Sequence, residues 1–129
     1  SVIFTASNAG LLPRAHDPVY STSKAALIAL ARSLALCHAA DKIRFNAVCP
    51  GPVSGTGLID DVVQQSADPA AARQQFVDAS PLAKAHDRMI TPEEVAAAIV
   101  YFASDNAEMV TGTALRIDGG KSLGVPPGQ

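Results

Sequence analysis

The chain has 129 residues, 48% of them hydrophobic, and a formal net charge of -2 from 10 Lys and Arg against 12 Asp and Glu. That length limits it to one domain with room for a core. The scattered cations form no basic stripe for nucleic acid, and no apolar run approaches the ~20 residues of a membrane span, because Asp, Arg or Lys interrupts each one. Cys37 and Cys49 are too few for a disulfide framework and have no second Cys or His at zinc-site spacing, so both read as structural and no metal is expected.

Taken in order, residues 1–6 (SVIFTA) read as a buried strand, with Val2, Ile3 and Phe4 continuous and nothing before them. A strand at the first residue is the mark of a truncated domain. Ser7 to Gly10 are small and polar, and a loop runs on to Pro18, punctuated by Pro13, His16 and Asp17. An alanine- and leucine-rich run over 19–40 predicts a helix whose apolar residues cover more than one face. One face covers the sheet, and the other meets a second subunit or a missing part of the same protein. Residues 43–49 (IRFNAVC) form the second strand, ended by Pro50-Gly51-Pro52; strand, long helix and strand make a βαβ unit with parallel strands. From 53 to 89 the pattern loosens around two modest helices, 58–65 and 69–79, the second with an Asp68 cap and Pro69 in its first turn. Residues 54–90 are expected to be a mobile substrate lid within the one domain, with Arg88 as a possible anchor. Thr91-Pro92-Glu93-Glu94 is a capping-box signal for a helix to about residue 104. Residues 113–117 (TALRI) form the third strand, closed by Asp118-Gly119-Gly120, and 121–129 are expected to be an extended surface tail.

Open parallel sheets place their sites at the carboxyl ends of the strands. Ser7, the start of the following helix, and Pro50 to Val53 all arrive there. Tyr20 and Lys24 are four apart and share one helix face. A cation in a helix's first turn opposes the dipole, which invites a functional reason. A nearby positive charge favours phenolate over phenol, as a tyrosine acting as general acid/base near neutral pH requires. Ser7 can donate a hydrogen bond to a carbonyl or hydroxyl oxygen, and Pro50-Gly51-Pro52 leaves backbone bare for a flat ligand. His16, His38 and His86 read as structural or solvent-facing. Asp60-Asp61 is a solvated helix end, since adjacent helical residues do not face each other.

Ser7, Tyr20 thirteen positions later and Lys24 four beyond it, followed by Asn46-Ala47-Val48-Cys49-Pro50-Gly51-Pro52-Val53, Pro92-Glu93-Glu94 and Asp118-Gly119-Gly120, resemble the short-chain dehydrogenase/reductase family. A lone Y-x-x-x-K is weak; four motifs in order over nearly the whole chain are strong. The resemblance implies the C-terminal half of a doubly wound α/β Rossmann fold, with about three parallel strands. It implies NAD or NADP as cofactor and hydride transfer between a hydroxyl and a carbonyl of a small alcohol or ketone. Ser7 would polarise the substrate oxygen, Tyr20 would be the acid/base, and Lys24 would bind the nicotinamide ribose. Pro50, Gly51 and Val53 would line the nicotinamide pocket, the Val53 backbone bonding the carboxamide. Thr56, one residue later than the family's usual threonine, would join them.

The family's glycine-rich pyrophosphate loop, its coenzyme-selecting residue and the asparagine of its catalytic tetrad belong upstream of Ser1. The alternative from another class is therefore a non-catalytic fragment or interaction module that lacks the pyrophosphate site. An epimerase or dehydratase of the family's extended branch shares Tyr and Lys but not Pro-Gly-Pro-Val and the terminal Asp-Gly-Gly. A cytoplasmic setting is expected. So is a homo-oligomer, or docking to the missing N-terminal half, because residues 1–6 would otherwise be an uncovered edge in a three-stranded sheet.

Overall fold

The computed structural model describes residues 1–12 and 14–124. Its three strands, β1 (Val2–Thr5), β2 (Phe45–Pro50) and β3 (Ala114–Ile117), form one parallel sheet in the order β1-β2-β3. Val2 pairs with Phe45 and Thr5 with Val48; Ala47 pairs with Ala114 and Pro50 with Ile117. The expected α/β class and parallel pairing are therefore present, with β1 at one edge.

Alternation along the strands assigns each face of the sheet. Phe4, Ala6, Ala47, Cys49 and Ala114 pack with Leu27, Ile28 and Ala31 of α1 (Pro18–Cys37). Ile3, Val48, Leu115 and Ile117 point the other way and pack with Val95, Ile99 and Phe102 of α5 (Pro92–Ala103). Five consecutive β2 residues are buried, so a helix covers each face of that strand. Between β2 and α5 lie α2 (Gly57–Gln64), α3 (Pro69–Asp78) and α4 (Pro81–His86).

The sequence places α2, α3 and α5 to within a residue or two and departs from the structure elsewhere. The loop after β1 holds a 3-10 turn at Asn8–Gly10. Helix α4 is absent from the two helices expected within 54–90, although Ser80 at its N-cap and Pro81 at its first position are a start signal. The α1 helix is shifted: Asp17 caps it by accepting from the Tyr20 amide at 3.1 Å, Pro18 opens it, and it ends at Cys37. Lys24 is consequently the seventh helical residue, in the second turn, and the expected conflict with the helix dipole does not arise. Strand β2 begins at Phe45, not residue 43. Lys42 takes a left-handed φ of 58°, and the Ile43 amide turns back to the His38 carbonyl at 3.3 Å. The start of the expected extended tail is a 3-10 turn over Lys121–Leu123; residues 125–129, like Pro13, lie outside the described residues.

The capping box of α5 is complete. Glu94 N–H donates to Thr91 Oγ1 at 3.4 Å, and Thr91 N–H donates to Glu94 Oε2 at 2.8 Å. Arg88 grips the same carboxylate with both guanidinium arms, at 2.8 and 3.0 Å, and holds the Glu94 carboxyl down to about 2. The pair is exposed and adds little stability, but it ties residue 88 to α5.

Asn46 is fully buried in the hydrophobic layer under α5. Its amide donates to the Val110 carbonyl at 2.8 Å and accepts from the Thr113 N–H at 3.0 Å, pegging the approach to β3 onto β2. Asn46→Ala leaves both backbone groups unpaired in a dry layer. The expected loss is about 1–3 kcal/mol of unfolding free energy, read from the urea midpoint at unchanged slope.

The outer surface of α1 exposes Val19, Leu30 and Leu36, the second apolar face expected from its composition. No described helix is long and apolar enough to cross a membrane.

Candidate active site

The carboxyl end of β1 delivers Ser7. Its backbone is extended, and its Oγ accepts from the Ala9 N–H at 3.1 Å, capping the 3-10 turn at Asn8–Gly10. The Ser7 hydroxyl reaches Asn8 Oδ1 only at 3.5 Å, a weak bond at best. A better acceptor can take that proton. Ser7 and Asn8 are both buried.

Close packing sets the distance between this turn and α1. A Cβ added to Gly10 would stand 2.7 Å from the Lys24 carbonyl carbon and 2.8 Å from the Ala25 nitrogen. Glycine therefore lets the turn lie directly on the backbone of the helix that carries Tyr20 and Lys24. Lys24 Nζ reaches back to donate to the Thr5 carbonyl at 3.1 Å and stands 5.6 Å from the centre of the Tyr20 ring. The predicted pair is thus adjacent, with the ammonium anchored to the end of β1. An ammonium has three donors, and this bond uses one.

Ser7, Asn8 and Tyr20 share a cavity of about 490 Å³ with Pro52, with Leu58, Ile59 and Val62 of α2, and with Phe76 of α3. Arg14, Asp17 and Lys121 also line it, and the Arg14 guanidinium lies 5.9 Å from the Tyr20 ring centre. The structure therefore brings Ser7 and Tyr20 to one wall, with Lys24 close behind the ring. Pro52 is the part of the Pro50 to Val53 stretch that reaches the lining; Pro50, Gly51, Val53 and Thr56 lie outside it.

Gly51 is small for a different reason from the one its sequence suggests. A Cβ there would meet Asp118 Cα and Ile90 Cδ1, each at 3.1 Å. That side of the backbone is filled by the chain itself, not left bare. Beyond it, Val53 bridges Ile90, whose carbonyl accepts the Ser54 N–H at 2.9 Å. In that pattern the N–H and C=O of Val53 point away from Ile90. The carbonyl accepts from Thr56 Oγ1 at 2.9 Å.

Asp118 is a buried carboxylate that holds the last turn. Its oxygens accept from Gly120 N–H and Ser122 N–H, both at 3.0 Å. Gly119 and Gly120 take φ of 59° and 86°, conformations that suit glycine. The Asp-Gly-Gly signal thus bends the chain so that the next residue, Lys121, reaches the cavity. Burial, and then the Arg14 charge, push the Lys121 ammonium below its usual value, against Asp118.

Sequence reasoning missed Asn8, Arg14 and Lys121. Asn8 could have been found from its place beside Ser7. Arg14 and Lys121 are far apart in the chain and carry no motif. Cys49 fits the structural reading: it is buried, and burial raises its thiol. Cys37 does not: it is exposed at the end of α1.

The sequence and its fold match known proteins. The family profile described as Enoyl-(Acyl carrier protein) reductase matches residues 1–122. Dehydrogenase/reductase SDR family member 6 of Aquarana catesbeiana is 45% identical over 105 residues, 81% of this chain and 41% of that protein. A short chain dehydrogenase family protein from Francisella tularensis superposes with a TM-score of 0.86 at 31% identity, covering 95% of this chain and 50% of that one. 4-hydroxyisoleucine dehydrogenase complexed with NADH gives 0.82 at 28% identity, covering 95% and 47%. The chain spans less than half the length of the curated relatives it matches, 46% and 41% for the first two. With its motifs gathered at the carboxyl end of a parallel sheet and these matches over nearly all of its length, the chain belongs to the short-chain dehydrogenase/reductase family of oxidoreductases.

Proposed function

We propose that the protein transfers hydride between a small alcohol and its ketone or aldehyde, using NAD or NADP, with Tyr20 as acid/base. The observation that carries this reading is the shared cavity wall of Ser7 and Tyr20, with the Lys24 ammonium 5.6 Å from the phenol ring. The residues present suit a nicotinamide ribose. Lys24 has two donors beyond the one given to Thr5, and the Val53 N–H points away from Ile90, free to meet a carboxamide. When bound, the nicotinamide supplies or accepts the hydride.

The chain's own residues handle the proton and the oxygen. Ser7 donates to the substrate oxygen, its proton being weakly held by Asn8. Tyr20 passes a proton to that oxygen during reduction and takes it back during oxidation. Lys24 holds a ribose hydroxyl beside the Tyr20 ring. Pro50, Gly51, Val53 and Thr56 form the floor beside the nicotinamide. Residues 54–90, with the apolar side chains of α2, close over the substrate as a lid. The outer face of α1 and the edge of β1 meet a second copy or the remainder of the fold.

The family's pyrophosphate loop belongs ahead of residue 1, so residues 1–129 by themselves are expected to bind coenzyme weakly and to be inactive. Titration with NADH and NADPH, followed by nicotinamide fluorescence, tests both parts. The expected result is micromolar binding by the protein as it occurs in its host and none of that strength by residues 1–129 alone. Tight binding by the isolated stretch would overturn the second part. Absence of saturable binding by the natural protein would overturn the first and leave the interaction-module reading.

A further inference from the structure

The cavity lining carries more positive charge than the proposed proton transfer needs. Arg14 and Lys121 arrive from distant parts of the chain, one from the loop before α1 and one from the turn after Asp118-Gly119-Gly120. Neither has a carboxylate within 4.0 Å among the described residues, where the ion pairs are His38–Asp41 and Arg88–Glu94. Both oxygens of Asp118 are taken by backbone amides; Asp17, which also lines the cavity, gives one oxygen to the Tyr20 N–H as a helix cap and forms no ion pair with either cation among the described residues.

Two like charges facing one half-enclosed space repel each other and lose hydration as it closes. An anion placed between them relieves both costs and gains charge-assisted hydrogen bonds. Another part of the lining is apolar, formed by Leu58, Ile59, Val62 and Phe76. Leu58 and Val62 are well exposed although apolar, at 67% and 52%, because they face the cavity and not the core.

From this juxtaposition we infer that the substrate is an organic acid. Its carboxylate lies between Arg14 and Lys121, its apolar carbons lie against α2 and Phe76, and its reacting hydroxyl or carbonyl lies at Ser7 and Tyr20. The Arg14 guanidinium is 5.9 Å from the Tyr20 ring centre, so the carboxylate stands only a few bonds from the reacting carbon. The lowered Lys121 ammonium agrees with this: burial and the Arg14 charge disfavour its charged form, and an anion beside it opposes both. This assignment rests on the oxidoreductase reading for its reacting end, while the anion site itself stands on the two cations.

The test compares 2-, 3- and 4-hydroxypentanoate with their methyl esters in the natural protein, in Arg14→Met and in Lys121→Met. At least one acid is expected to exceed its ester in kcat/KM by more than tenfold. Each substitution should lower the value for that acid by about 10- to 100-fold relative to its ester. Unreactive pentanoate should raise the thermal midpoint of the natural protein and not that of either variant, a readout that needs no turnover. Equal rates for acid and ester, with no shift by pentanoate, would overturn the inference. So would variants that weaken NADH or NADPH binding and leave acid preference intact, since the cations would then serve coenzyme phosphates. If pentanoate binds in an Arg14- and Lys121-dependent way while no substrate turns over with either coenzyme, the anion site stands and the oxidoreductase reading falls.

Discussion

Tyr20→Phe is expected to lower kcat by about 10²- to 10⁴-fold while leaving coenzyme affinity and the thermal midpoint where they were. The substitution removes one oxygen from a ring that lines the cavity and is half-buried, so the packing of α1 is untouched. The Asp17 cap bonds the Tyr20 amide, not the phenol, and survives the change. Steady-state rates with the preferred substrate, alongside nicotinamide fluorescence titration, separate the effects. A variant that keeps more than a tenth of the natural kcat would remove Tyr20 from the proton path. One that loses coenzyme binding in parallel would recast the phenol as a binding group.

Gly10→Ala should damage both stability and turnover from a position that touches neither substrate nor coenzyme. The added methyl would stand 2.7 to 2.8 Å from three backbone atoms of Lys24 and Ala25, where carbon contacts settle near 3.5–4.0 Å. No side chain can rotate aside to make room, so the 3-10 turn and α1 must separate by roughly 1 Å. Overpacking of this kind costs about 1–3 kcal/mol. It also draws Ser7 away from Tyr20, a misplacement worth about 10² in kcat. Denaturation midpoints and kcat measured on the same preparation check the two together. Unchanged values of both would show that the turn is free to shift without consequence.

Much of this fold is legible because the signals are local. The capping box at Thr91 and Glu94 announces α5 from four adjacent residues, and a short run closed by Pro50-Gly51-Pro52 announces β2. The Ser7, Tyr20 and Lys24 spacing is readable for the same reason, since one strand, one loop and one helical turn set it. What escaped depends on contacts between distant segments. Gly10 looks like an ordinary loop glycine until α1 is laid against it. Gly51 looks like an opening for a ligand until Asp118 and Ile90 fill the space. Arg14 and Lys121 meet only because Asp118 bends the chain after β3. Helix α4 is a milder case: its start signal is present, but six residues are too short to show a period.

The unequal faces of the sheet limit where the chain can change in length. Toward α1, β2 presents Ala47 and Cys49 beside Ala6 and Ala114, side chains small enough for the helix to lie close and for Lys24 to reach Thr5. Toward α5 it presents Val48 beside Leu115 and Ile117. Inserting one residue in β2 would exchange the two sets, lift α1 off the sheet and bury Asn46 on the face without its partners. Insertions and deletions among descendants of this chain are therefore tolerable between residues 54 and 90, where no strand parity is at stake, and lethal to the site within β2. Diversity of substrate can be gained through segment length without disturbing the proton-handling residues.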